Sequence, residues 1–138
     1  MNKRHIFITA SDARRLEELL AVAETFNYRD RNDLKSLEGE LARAEIVDSR
    51  DIPAKVVTMN TRFHLRDLGD KSCMKVTLVF PAEADIESGL MSVLSPIGTA
   101  VLGYSEGDTI TWPVPAGERR IVIEKVIYQP ESAGDYHL

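Results

Sequence analysis

The sequence predicts an α+β protein in which an N-terminal antiparallel helical hairpin precedes an antiparallel sheet with one short helix. Two stretches within the first 50 residues place apolar side chains at alternating three- and four-residue intervals, which indicates amphipathic helices. Later stretches alternate apolar and polar residues, as half-buried strands do. Pro53 separates the two patterns. We therefore expect a helical hairpin (a short coiled coil) over residues 1–50 and a sheet domain over residues 51–138.

Composition limits the classes of function. The chain has 138 residues, 43% of them hydrophobic, and a net charge of −5. An acidic chain without clustered Lys and Arg is not expected to bind DNA directly. No apolar run approaches the roughly 20 residues that span a membrane. The apolar run near the N-terminus is also too short for a signal peptide. We expect a cytoplasmic protein.

The single Cys73 excludes an internal disulfide, and we expect it to be buried in a strand.

The first helix is expected over residues 10–24. Thr9 and Asp12 form a capping-box pattern at its start. Asn32 is the predicted N-cap of the second helix, which contains Gly39 at a cost of about 1 kcal/mol relative to alanine. The two apolar stripes, which would face each other across the hairpin, are Ala13, Leu16, Leu20 and Ala23, and Leu34, Leu37, Leu41 and Ala44. Such a hairpin needs the following domain to stabilise it.

In the second half of the chain, apolar and polar residues alternate, which predicts strands of a sheet. Extended segments are expected at 55–59 and 61–66, followed by a strand in which Met74, Val76, Leu78 and Phe80 face one side. An acidic loop over 82–89 follows. Strands are expected at 109–114 and 118–128, the first as an edge strand because Pro113 and Pro115 cannot donate backbone hydrogen bonds. An irregular tail over 129–138 ends the chain.

The segment from Met91 to Asp108, which we call the proline corner, is the most distinctive part of the sequence. Pro96 fixes its own φ and holds Ser95 out of the helical region, so a helix of about two turns begins there. Gly103 is a suitable left-handed stop. A turn over 106–108 then leads into the next strand.

These residues carry a family resemblance. The run Ser95-Pro-Ile-Gly-Thr-Ala-Val-Leu-Gly103, with Gly107-Asp108 and Pro115-Ala-Gly117, resembles the C-terminal domain of Gre-type transcription elongation factors. The short hairpin, the segment 57–60 and the ending 128–135 resemble more closely the nucleoside diphosphate kinase regulators, a bacterial branch related to those factors. The resemblance implies an FK506-binding-protein-like sheet domain and RNA polymerase as the partner.

The resemblance also implies site residues. Gre factors dock through the C-terminal domain, so Ser95, Pro96, Ile97 and Gly98 are the expected partner-binding residues, with Ile97 exposed. Gre factors also carry two acids at the tip of a long coiled coil, where they help to hold a catalytic magnesium ion. Asp30 and Asp33 lie at the corresponding tip. Helices of about 15 residues extend only about 22 Å, roughly half the reach that mechanism requires, so we expect no cleavage activity.

No catalytic motif, metal-ligand spacing or cofactor loop is present, and the three histidines are scattered. The lack of these motifs predicts a non-enzymatic protein, and the resemblance implies a regulator that binds RNA polymerase near its secondary channel and competes with Gre-type factors. Two alternatives remain open at this point. One is a cofactor that stimulates transcript cleavage through Asp30 and Asp33. The other is a folding helper of the peptidyl-prolyl isomerase type, suggested by Trp112.

Overall fold

The computed structural model of the protein describes residues 6–25, 31–69, 71–114 and 117–135. Strand β1 (Phe7–Thr9) leads directly into helix α1 (Ala10–Thr25), and helix α2 (Arg31–Arg43) is followed by strand β2 (Glu45–Val47). The second half contains β3 (Arg62–Asp67), β4 (Cys73–Val79), β5 (Leu90–Ser92), helix α3 (Pro96–Val101), β6 (Thr109–Val114) and β7 (Gly117–Tyr128).

Both N-terminal helices form where the apolar spacing predicts them. Ala13, Leu16 and Leu20 of α1 and Leu37 of α2 are buried in the main core. Thr9 caps α1 as expected, because its Oγ1 accepts a hydrogen bond from the backbone N–H of Asp12 at 3.0 Å. The prediction of Asn32 as an N-cap is wrong, since α2 already begins at Arg31. The connection between the helices lies outside the described residues.

The main sheet has five strands in the order β5-β4-β3-β7-β6. Neighbouring strands run antiparallel except for β4 and β5, which are parallel, so the sheet is mixed rather than antiparallel as predicted. The parallel pair arises because the segment between β4 and β5, with short 3-10 turns at Pro81–Glu83 and Ile86–Ser88, crosses back before β5 starts. β6 lies at an edge, as its prolines predicted.

A second, smaller sheet was not predicted. β1 pairs in parallel with β2, with Phe7 opposite Glu45 and Thr9 opposite Val47. The strand before α1 is thereby paired with the strand after α2. This pairing fixes the N-terminal end of α1 beside the C-terminal end of α2. Phe7 and Gly103 connect this small sheet to the proline corner, because the Phe7 N–H donates to the Gly103 carbonyl at 3.2 Å.

One further expectation is wrong. Cys73 lies in a strand but is exposed, because it stands opposite Arg66 on the solvent face of the sheet. The tail is irregular as expected over its described part, with no helix or strand, but it packs against the sheet domain. Gln129 is 2% exposed and its side-chain amide donates to the carbonyls of Pro53 and Val56, each at 2.8 Å, and turns follow it up to Gly134.

Candidate functional site

The proline corner has the geometry that its sequence predicts. Ser95 is extended, with φ −70° and ψ 154°, and its Oγ accepts a hydrogen bond from the Gly98 N–H at 3.0 Å. Pro96 occupies the first turn of α3, where its missing N–H costs nothing. Gly103 has a φ of +83° and follows the end of the helix, as a left-handed stop should. Asp108 closes the next turn by donating its N–H to the Ser105 carbonyl at 2.9 Å.

Hydrogen bonds hold the start of α3 against the end of β5. The Ser95 hydroxyl donates to the Ser92 carbonyl at 2.7 Å, and the Thr99 hydroxyl donates to the Val93 carbonyl at 2.6 Å. Gly98 is buried where a Cβ atom would stand 2.1 Å from the Ser92 oxygen. No side chain fits in that space, so Gly98 is required by the close approach of two backbone segments. Ser95 and Gly98, two of the four predicted docking residues, are thus part of the architecture.

Ile97 is not exposed as expected. It is half-buried and packs against the main core, so only part of its side chain is available to a partner. The reason is its position on the helix: successive helical side chains point about 100° apart, so Ile97, one residue before the buried Gly98 and Thr99, lies at the edge of the buried face of α3. The corner therefore offers a rigid surface with a small apolar contribution.

The end of the corner is joined to α2 by Tyr104. The Arg43 guanidinium donates a hydrogen bond to the Tyr104 hydroxyl and lies over the ring, 5.7 Å from its centroid. Burial raises the pKa of the Tyr104 phenol, so it remains a neutral acceptor. Val57 pairs with the same segment, donating to the Tyr104 carbonyl at 2.8 Å. The second N-terminal helix and the proline corner are consequently held as one unit.

A buried polar cluster fixes α1 to the sheet domain. The Asp12 carboxylate is 1% exposed, accepts a hydrogen bond from the Met59 N–H at 3.0 Å, and pairs with Arg15. Burial raises the pKa of Asp12 above its ordinary value, and these contacts act against that increase. Arg15 extends over Phe80, with its guanidinium carbon 5.0 Å from the ring centroid. Asp12 therefore does more than support the start of α1, because its hydrogen bond with Met59 joins two residues 47 positions apart in the chain.

The C-terminal segment joins the same cluster. Glu131 is 9% exposed and accepts a hydrogen bond from the Thr58 hydroxyl at 2.7 Å. Burial raises its pKa, and the nearby Asp12 carboxylate adds to the increase. Thr61 completes the arrangement, since its Oγ1 accepts from the Thr58 N–H at 2.9 Å. We call Asp12, Arg15, Thr58, Thr61 and Glu131 the junction cluster. Asp12 pairs with Arg15, Thr58 bonds to Thr61 and Glu131, and the two groups interact electrostatically, which indicates a structural role.

The other residues singled out in the sequence are dispersed. Asp30 lies outside the described residues, and Asp33 falls in the first turn of α2. Trp112 lies in the edge strand β6. His64 is half-buried in β3, and its Nε2 is buried without a hydrogen-bond partner. Within the described ranges, no group of three or more His, Cys, Asp or Glu side chains is arranged to hold a metal ion, and no helix is long and apolar enough to cross a membrane.

The fold and the corner define the class. Two N-terminal helices fixed to a mixed five-stranded sheet that carries a proline corner form a Gre-type transcription factor domain. The family description "Transcription elongation factor, GreA/GreB, C-term" matches residues 52–128, and "Rnk N-terminus" matches residues 4–47. The chain therefore belongs to the GreA/GreB family, in the branch that carries the Rnk N-terminus.

Individual relatives agree with this assignment. The chain is 37% identical to the Regulator of nucleoside diphosphate kinase of Escherichia coli (strain K12), over 100% of both chains. It is 34% identical to Transcription elongation factor GreA of Xanthomonas campestris pv. campestris, over 91% of this chain and 84% of that one. The solved structure of a GreA/GreB factor from Nitrosomonas europaea superposes with a TM-score of 0.70 at 42% identity, covering 89% of this chain and 99% of that one.

Proposed function

We propose that this protein is a non-enzymatic transcription regulator that binds RNA polymerase near its secondary channel and competes there with Gre-type factors. The observation that supports the proposal is the match of residues 52–128 to the GreA/GreB C-terminal domain. That domain would supply the affinity for the polymerase. The protein would act in the cytoplasm, without direct binding to DNA.

The length of the N-terminal helices supports a regulator without cleavage activity. Helix α1 has 16 residues and α2 has 13, which at a rise of about 1.5 Å per residue gives lengths of roughly 24 Å and 20 Å. We infer that they form an antiparallel hairpin over residues 1–50. Asp30 and Asp33 at its tip would then stop well short of the distance that a cleavage factor needs to reach.

We infer that residues 51–138 form an FK506-binding-protein-like domain and that this domain docks through Ser95, Pro96, Ile97 and Gly98. Rigidity favours this part of the surface for binding. Ser95 and Gly98 are already fixed by hydrogen bonds to each other and to β5, so little conformational entropy is lost on association. The partly exposed Ile97 would supply the apolar contact.

The experiment measures the affinity of the purified protein for core RNA polymerase, with a labelled Gre factor as the competitor. We expect Ile97→Lys to weaken binding about tenfold, because it places a charge in the centre of the contact. The matched control is Ile127→Lys. Ile127 is 42% exposed on β7, outside the four predicted docking residues, so its replacement should change the affinity less than about twofold.

Two results would contradict the proposal. If the protein neither binds the polymerase nor displaces the Gre factor, the function is wrong. If it binds but both lysine variants behave alike, the corner is not the docking surface. Circular dichroism of each variant separates a lost contact from a lost fold.

A further inference from the structure

The face of the main sheet that points away from the core carries basic side chains. Phe63 and Leu65 of β3 are buried in the core, so the alternating residues Arg62, His64 and Arg66 point to the opposite face. The sequence has no run of clustered Lys and Arg. Strand pairing brings together residues that are far apart in the chain.

The strand register defines the composition of this surface. His64 stands opposite Lys75 of β4 and opposite Lys125 of β7. Arg62 stands opposite Thr77 and Tyr128 in the next row of the sheet. We call Arg62, Arg66, Lys75 and Lys125, which surround His64, the cationic face.

Two of these cations have no side-chain partner among the residues that the structure describes. Arg62 and Lys75 are exposed, and neither makes a side-chain hydrogen bond or ion pair in the described part of the chain. The imidazole between Lys75 and Lys125 also has its Nε2 without a partner. Among the described residues, three acids lie near this surface and all are engaged: Glu124 pairs with Arg66 at 2.6 Å, Asp135 accepts a hydrogen bond from the Tyr128 hydroxyl, and Glu106, which lies near Lys125, accepts from the Val126 N–H and pairs with Lys55.

The dimensions of the cationic face suit one helix. Three strands spaced about 4.8 Å apart span roughly 10 Å, and the four steps from Arg62 to Arg66 span about 13 Å. An α-helix is about 10–12 Å wide, and its residues i and i+4 are separated by about 6 Å along the axis. That separation is close to the 6.6 Å or so between alternate residues of a strand. We propose that the cationic face binds an acidic helix of a protein partner.

Charge distribution favours a protein partner over a nucleic acid. Four cations against Glu106, Glu124 and Asp135 give the face +1, so the rest of the chain carries −6 within the net charge of −5. A nucleic acid would extend beyond the face and lie against the acidic remainder of the surface. Its phosphates would be repelled there, because they would come within the screening length of about 8 Å at physiological salt. An acidic helix confined to the face avoids this problem. This inference does not depend on the identity of the partner proposed above.

The test uses the full-length protein and a fluorescent, alanine-rich helical peptide of about 16 residues with glutamate at every fourth position. The same peptide with glutamine and a single-stranded oligouridylate of about 16 nucleotides are the comparison ligands. The variant is Arg62→Glu/Lys75→Glu. The matched control, Arg14→Glu/Arg50→Glu, makes the same change in net charge at two exposed residues away from the face. Binding is followed by fluorescence anisotropy over a range of salt concentrations.

We expect the glutamate peptide to bind the wild type more tightly than the glutamine peptide and the RNA, and to weaken as salt is raised. The face variant should lose about tenfold in affinity, and the control variant less than about twofold. Equal binding of the two peptides, or an equal loss in both variants, would overturn the proposal. Tighter binding of the RNA, lost in the face variant, would assign the surface to nucleic acid instead.

Discussion

Replacing Asp12 with alanine should destabilise the protein by about 2–4 kcal/mol, because this carboxylate connects α1 to the sheet domain. The backbone N–H of Met59 is buried and donates to Asp12 at 3.0 Å. An unsatisfied buried N–H costs about 1–3 kcal/mol. Arg15 would also lose its partner, but it is 31% exposed and can turn toward water, so this part is limited to about 1 kcal/mol.

The assay is urea unfolding, with hydrogen exchange at the Met59 amide as a local measurement. Asp12→Asn keeps an acceptor for the Met59 N–H, so it should lose only about half as much stability as Asp12→Ala. The control is Asp51→Ala, in an exposed residue with no side-chain hydrogen bond among the described residues. It should remain within about 0.5 kcal/mol of the wild type. A loss below about 0.5 kcal/mol for Asp12→Ala, or equal losses for both Asp12 variants, would refute the role assigned to Met59.

Three other predictions concern stability. Gly39→Ala should raise it by about 1 kcal/mol, seen as a melting temperature a few degrees higher, because a Cβ at this exposed helical position meets nothing within 4 Å. Gly98→Ala should instead lower it by about 2 kcal/mol or more, since the added Cβ would collide with the Ser92 carbonyl; a gain in urea midpoint would contradict this. Burial raises the pKa of Glu131 above 4.5, so its contribution to stability falls as pH rises through that raised value. Glu131→Gln keeps the acceptor for Thr58, so the melting temperature of this variant should rise relative to that of the wild type between pH 4 and pH 7; a constant difference in melting temperature across this range would refute the prediction.

Local chemistry explains what the sequence predicted correctly. The cap formed by Thr9, the extended Ser95 before Pro96 and the left-handed Gly103 each depend on residues within a few positions of one another. Such interactions are specified by neighbouring side chains, so their pattern is visible in the sequence. The exposure of Cys73 was also visible in principle. It alternates with Val76 and Leu78, and the same alternation that assigns those two residues to the core assigns Cys73 to the other face.

Long-range contacts explain the rest. The pairing of β1 with β2, the bond from Met59 to Asp12 and the burial of Gln129 join residues separated by 38, 47 and 73 to 76 positions. No local propensity specifies such partners, and their identity emerges only when the core brings the segments together. The cationic face has the same origin, because its members come from three strands. The half-burial of Ile97 follows from the packing of α3 and was likewise not encoded in its immediate neighbours.

The most direct test of the proposed function is RNA cleavage in stalled transcription complexes, with this protein titrated against a fixed amount of a Gre factor. The account predicts that the protein alone produces no cleavage and that increasing amounts reduce the cleavage stimulated by the Gre factor. Stimulated cleavage by the protein alone, abolished by Asp30→Asn/Asp33→Asn, would show that the N-terminal helices reach the active centre. Undiminished Gre-dependent cleavage at saturating protein would show that the two factors do not share a site.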